Sequence, residues 1–232
     1  MTDYVFPPPP TPSLATAGSD ARFPIRRVIC VGRNYAAHAR EMGSDPDREP
    51  PFFFMKPADA VVPAAGGLPY PSSTNELHYE VELVVALKQG GENIDAGKAL
   101  DLVWGYGVGL DLTRRDLQAA AKESRRPWDF SKGFDHSAPC SPLVPAAAIG
   151  HPDSARIYLE VNGKVVQDGN LNELIWPIAD ILAHISRFMA LQPGDLIYSG
   201  TPAGVGALLP GDTVHGEVVG VASFDLSIGP KP

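Results

Sequence analysis

The chain has 232 residues, 44% of them hydrophobic and 20% charged, which suits one globular domain with a sizeable core. Its formal net charge of −8 argues against a general attraction to nucleic acid or to an anionic membrane surface. There is no apolar run of roughly 18 residues, no basic-then-apolar leader, and no metal-binding spacing around Cys30 and Cys140; the expectation is a cytoplasmic protein with reduced thiols and no membrane span, zinc site or disulfide framework.

Residues 1–24 read as a Pro-rich arm, with Pro7 to Pro10 favouring extended polyproline conformation, ahead of a single domain over 25–232. "RRVICVG" (26–32) reads as a short buried strand, and "NYAAHAREMG" (34–43) as a short helix with Asn34 as cap and Gly43 as stop. "PFFFMK" is a strand bounded by prolines, and "VVPAAGGLPYPSSTN" a long loop. A strand is predicted over 77–88. Asp95 caps a short helix, and "VWGYGVGLDLT" is strand-like despite its glycines. "TRRDLQAAAKES" (113–124) predicts a helix, with Thr113 and Asp116 approximating a capping box. "ARIYLEVNGKVVQDG" is a hairpin turning on Asn162-Gly163. "PIADILAHISRFMAL" (177–191) is the best helix, with Ile178, Ile181, Leu182, Ile185, Phe188 and Met189 in one stripe. The tail alternates turns and strands. The fold class is therefore α+β, β-rich, with mixed sheet.

The strand "NELHYEVELVVAL" carries Glu80 and Glu82, two apart and so on one face. Three explanations compete: solvent exposure at a sheet edge, an ion-pair network, or a bound cation. The apolar residues around the pair weaken the first, and like charges side by side need compensation. Asp111, where an apolar Gly-rich strand turns into a helix, is a third candidate ligand; Asp116 is better explained as a first-turn carboxylate. Three carboxylates without a His or Cys cluster suit Mg²⁺, Mn²⁺ or Ca²⁺ rather than zinc.

His38 and Glu41 share a helix face, a spacing that suits a carboxylate-oriented general base. Taken alone, a surface His beside a surface Glu is the better reading, and Lys132 alone is a loop lysine. "YSGTPAGVG" (198–206) brings Thr201 and backbone N–H groups together, either for an anion or as a tight turn, and it is no P-loop.

"CVGRNYAAHAREMG", "PFFFMKPADAVV", "LHYEVELVVAL", "GYGVGLDLTRRDLQ", "WDFSKGFDHSAP" and "YSGTPAGVG", in this order, closely resemble motifs of the fumarylacetoacetate hydrolase family, and most of all its short, single-domain, acylpyruvate-cleaving branch. The likeness runs from Arg26 to Ile228. The arm and "MGSDPDREPPFFFMKPADA" resemble members that cleave fumarylpyruvate in gentisate-type aromatic degradation. The resemblance implies a mixed-sheet β-roll, usually a homodimer, with Mg²⁺ or Mn²⁺ on Glu80, Glu82 and Asp111. It places the catalytic dyad on His38 and Glu41 and the catalytic lysine on Lys132. Substrate contacts fall on Arg33, Tyr35, Arg115, Gln118 and Thr201. A further acidic ligand of the larger relatives is absent near Val31 and Arg33. The implied reaction is hydrolysis of a C–C bond in a 2,4-diketo acid. Oxaloacetate decarboxylation and isomerisation of a hydroxydienoate diacid are the alternatives on the same site.

Overall fold

The computed structural model describes residues 3–41 and 50–232, without the side chains of Ala39 and Glu41. Its largest sheet is eight-stranded and runs Phe52–Lys56, Arg27–Gly32, Asp195–Tyr198, Val81–Leu87, Val103–Leu110, Ala138–Cys140 and Val61–Pro63, with Val144–Pro145 also paired to Val103–Leu110. A five-stranded sheet runs Lys164–Asn170, Arg156–Val161, Thr213–Val218, Ala222–Ile228 and Ala65–Leu68. Asp195–Tyr198 pairs parallel to Arg27–Gly32, whereas Val81–Leu87 is antiparallel to both its neighbours, so the sheet is mixed as expected. The two sheets enclose one apolar core that includes Ile29, Leu83, Val85, Val108, Leu159, Val218 and Leu226. Val84 and Ala86, pointing to the opposite face of the large sheet, belong to a second cluster. Leu14 and Phe23 complete that cluster from a hairpin, Ser13–Thr16 with Ser19–Pro24, formed within the Pro-rich segment.

The strand expected over 77–88 is in fact two. Leu77–Tyr79 pairs with Gly206–Leu208 and Thr113–Arg114 in a small third sheet, and Val81–Leu87 enters the large one. Glu80 is the joint, its carbonyl accepting the Asp111 N–H at 2.9 Å. The acidic pair thus lies where two sheets part, which opens a pocket beside it.

The loop expected over 61–75 contains two edge strands, Val61–Pro63 and Ala65–Leu68. An edge tolerates Pro63 and the glycines because only one side must pair. The Asn162-Gly163 hairpin forms as expected, both residues at positive φ (52° and 74°). Ile178–Phe188 is the long helix; Ile178, Ile181, Leu182 and Ile185 are buried, but Phe188 is 75% exposed and leaves the predicted stripe to stack edge-on against Phe53.

Candidate active site

Glu80, Glu82 and Asp111 are buried, and one oxygen of each lies within 4.8 Å of the others. Burial removes the solvent-facing explanation. Part of the ion-pair explanation holds. Lys132 Nζ lies 2.8 Å from Glu80 Oε2 and 2.6 Å from Asp111 Oδ2. Arg115 Nη2 donates to Glu80 Oε1 at 2.6 Å. Lys56 Nζ pairs with Asp111 Oδ1 at 2.8 Å, off hydrogen-bond alignment. Glu82 is left over. Its Oε2 accepts the Gly200 N–H at 2.8 Å, and among the described residues it has no cationic partner.

The electrostatics follow from this. Burial would raise the Glu80 carboxyl, but Lys132 and Arg115 outweigh it and hold the group well below the usual carboxylate range. For Glu82, burial and the charges of Asp111 and Glu80 act together and push the carboxyl well above that range. Burial opposes the charge on Lys132, yet Asp111 and Glu80 more than offset it and raise its pKa. A buried carboxylate facing two others with a single N–H donor is short of positive charge. An oxygen-liganded divalent cation fits that deficit.

Around this cluster one pocket is lined by Arg33, His38, Glu80, Glu82, Arg115, Gln118, Lys132 and Thr201, with Phe52, Phe54, Lys122 and Trp128. Asp111, fully buried and bonded to Lys132, is not on the wall. His38, 5% exposed, comes from the helix Ala36–Glu41. The side chain of Glu41, and with it the proposed dyad, lies outside the described residues. Gln118 Oε1 accepts from Arg115 Nη1 at 2.7 Å, leaving its amide N–H₂ to donate. Tyr35 is not on the pocket wall. It packs in the core at 2% exposure, where burial, then Glu82 and Glu173, raise its pKa.

Two capping assignments change. Among the described residues, the Asn34 amide is engaged elsewhere than on its helix: it donates to the carbonyls of Trp176 and Ser199 and accepts the Trp176 N–H, anchoring the start of the His38 helix to the loop before Gly200. Thr113 and Asp116 form no capping box. Thr113 Oγ1 donates toward Glu80 Oε1 at 3.3 Å, and Asp116 accepts from Thr74 Oγ1 and the N–H groups of Asn75 and Leu117.

Sequence reasoning missed three residues here. Lys56, fully buried, also donates to the carbonyls of Leu112 and Lys132. A lysine ending the apolar run "FFFMK" carried the same signal that singled out Glu80. Gln167 accepts the Val81 N–H at 3.0 Å and donates to Thr201 Oγ1 and the Pro202 carbonyl, each at 2.9 Å, so it ties the acidic strand to the Thr201 loop. Lys122 gave no local signal.

Residues 27–228 match the fumarylacetoacetate hydrolase C-terminal family. The chain belongs to that family. Within it, the chain is 42% identical over 191 residues to a fumarylpyruvate hydrolase of Ralstonia sp, covering 82% of this chain and 99% of that protein. A crystal structure of fumarylpyruvate hydrolase from Pseudomonas aeruginosa in complex with Mn²⁺ and pyruvate superposes with a TM-score of 0.97 at 51% identity, over 99% of this chain and 100% of that one. A mitochondrial oxaloacetate decarboxylase of Dictyostelium discoideum is 38% identical over 205 residues, 87% of this chain and 94% of that protein. Among the described residues no helix is long and apolar enough to cross a membrane.

Proposed function

We propose that the protein hydrolyses acylpyruvates, with fumarylpyruvate the foremost substrate, to a carboxylic acid and pyruvate. The observation that carries this reading is one pocket lined by His38 and by Glu80 and Glu82, whose carboxylates cluster with that of the buried Asp111, in a family whose Pseudomonas member binds Mn²⁺ and pyruvate. Glu80, Glu82 and Asp111 would hold Mg²⁺ or Mn²⁺. When bound, the cation supplies Lewis-acid stabilisation of negative charge on the oxo-acid oxygens.

The chain's own residues do the rest. His38 takes a proton from water as the water oxygen attacks the ketone carbon of the acyl group. The family resemblance assigns Glu41 as the partner of the His38 ring. The C–C bond to the pyruvyl carbon then breaks, and its electron pair leaves with pyruvate as the enolate, which takes up a proton. Lys132 Nζ and the Gln118 amide supply donors to the oxyanion formed by attack. Arg33, Arg115 and Thr201 bind carboxylate and carbonyl oxygens. Gln167 occupies the Thr201 oxygen as an acceptor, so the hydroxyl hydrogen is left to donate toward substrate.

The test follows loss of the diketo-acid ultraviolet band for fumarylpyruvate, maleylpyruvate and acetylpyruvate, and release of pyruvate from oxaloacetate, with Mg²⁺, Mn²⁺ or EDTA. Acylpyruvates are expected to turn over with metal and stop with EDTA. The Dictyostelium relative favours a second reading, oxaloacetate decarboxylation, which needs no attacking water. His38→Ala separates them: hydrolysis is expected to fall at least about 100-fold, the scale of general-base catalysis, while decarboxylation is retained. Hydrolysis at near wild-type rate in that variant would remove His38 from the base role.

We also propose a homodimer. Phe53 and Met55 share one face of their strand, and Phe188 stacks on Phe53, so an apolar patch stands at the sheet edge. Light scattering is expected to give twice the chain mass.

A further inference from the structure

We propose that Lys122 selects acylpyruvates whose acyl group ends in a second carboxylate. The inference rests on the acylpyruvate reading and adds to it the residue that meets the far end of the substrate.

Burial grades along the pocket. Glu82 and Lys132, at its base, are 1% and 2% exposed, whereas Arg33, Phe52, Lys122 and Trp128 are half-buried and form the rim. Phe52 and Trp128 pack edge to face, ring centroids 5.5 Å apart, and together form an aromatic wall along the path outward from the base. A flat, conjugated acyl chain leaving the base can lie against that wall.

The cations of the pocket have different commitments. Lys132 is held by Glu80 and Asp111, and Arg115 by Glu80 and Gln118. Lys122 comes from the helix Arg115–Glu123 and has no carboxylate partner among the described residues. Its ammonium is seated over the Trp128 ring, 5.3 Å from the centroid, which fixes its place at the rim. Arg33 lies across the rim, its guanidinium 5.5 Å from the Phe52 centroid. Among the described residues, the groups whose charge reaches Lys122 are Arg115, Arg33, Glu80 and Lys132. Burial first, then the charges of Arg115, Arg33 and Lys132, lower its pKa against the pull of Glu80. An anion beside the Lys122 ammonium offsets this cost of burying the charge. A terminal carboxylate supplies that anion; a terminal methyl does not.

The experiment measures kcat and KM for fumarylpyruvate and for acetylpyruvate, which lacks the second carboxylate, in wild type, Lys122→Met and Lys122→Arg, all loaded with Mn²⁺. Lys122→Met is expected to lower kcat/KM for fumarylpyruvate about tenfold, chiefly through KM, the scale of one charge-assisted hydrogen bond. Acetylpyruvate is expected to stay within about twofold, and Lys122→Arg to keep most of the preference. Inhibition by fumarate is expected to weaken in step in Lys122→Met while inhibition by pyruvate is unchanged. Equal losses on both substrates, or no loss on fumarylpyruvate, would overturn the assignment. Failure of the wild type to cleave either substrate would instead bring down the acylpyruvate reading, and this inference with it.

Discussion

Lys56 closes an aromatic strand yet is 2% exposed; it donates to the Leu112 and Lys132 carbonyls and forms an ion pair with buried Asp111. It therefore compensates one candidate ligand and fixes the backbone of the candidate catalytic lysine. Lys56→Met keeps the stem and removes the charge. It is expected to destabilise the fold by about 3 kcal/mol, because Asp111 loses half its compensation and two carbonyls lose a donor. Urea unfolding checks this. A loss below about 1 kcal/mol would mean that Lys132 alone suffices for Asp111. Legibility at this scale depends on what a residue's local surroundings reveal. Glu80 and Glu82 stand out because charge in an apolar strand demands an explanation. Gln167 does not, since its partners Val81 and Thr201 are 86 and 34 positions away, and nothing around "VVQDG" announces them.

Elements with strong periodicity were legible, and those shaped by tertiary pairing were not. The helix Ile178–Phe188 and the Asn162-Gly163 hairpin follow from apolar spacing and turn chemistry. The break at Glu80 does not, because each half of "LHYEVELVVAL" reads as strand and only the partners differ. The same hairpin sheet carries a pH-dependent contact. His215 and Asp225 stand directly opposite across two antiparallel strands, with Nδ1 2.9 Å from Oδ1, and Glu217 lies 3.6 Å from Nε2. Burial lowers the imidazole pKa, but Asp225, Glu217 and Glu160 more than offset it and raise it. A raised pKa contributes stability that is full below the unfolded value, near 6.5, and fades as pH rises through the folded one. Asp225 is 84% exposed, so screening limits the contribution to about 0.5 kcal/mol. His215→Gln is expected to lower the urea midpoint near pH 5.5 and to match wild type near pH 9. A deficit constant across pH would assign His215 a packing role only.

Across the whole molecule, family motifs made the fold and the acidic trio legible together, whereas the charge balance of the pocket needed the fold. Lys56, Lys132 and Arg115 offset Glu80 and Asp111, and Glu82 is the carboxylate whose burial is least compensated. This imbalance makes the folded state a ligand for a divalent cation, and binding to the folded state alone raises stability by mass action. At about 100 times its dissociation constant, Mn²⁺ should add roughly 2.7 kcal/mol. For a chain of this size that shifts the thermal midpoint by roughly 5–10 °C. EDTA is expected to reverse the shift. Glu82→Gln keeps an acceptor for the Gly200 N–H and removes the charge. Its metal-free form is expected to melt no lower than wild type, since a carboxylate repelled by Asp111 and Glu80 has gone, while Mn²⁺ no longer raises the midpoint. The pair of results separates a metal centre from a self-sufficient ion-pair network, which would melt at the same temperature with or without the cation and would gain nothing from it.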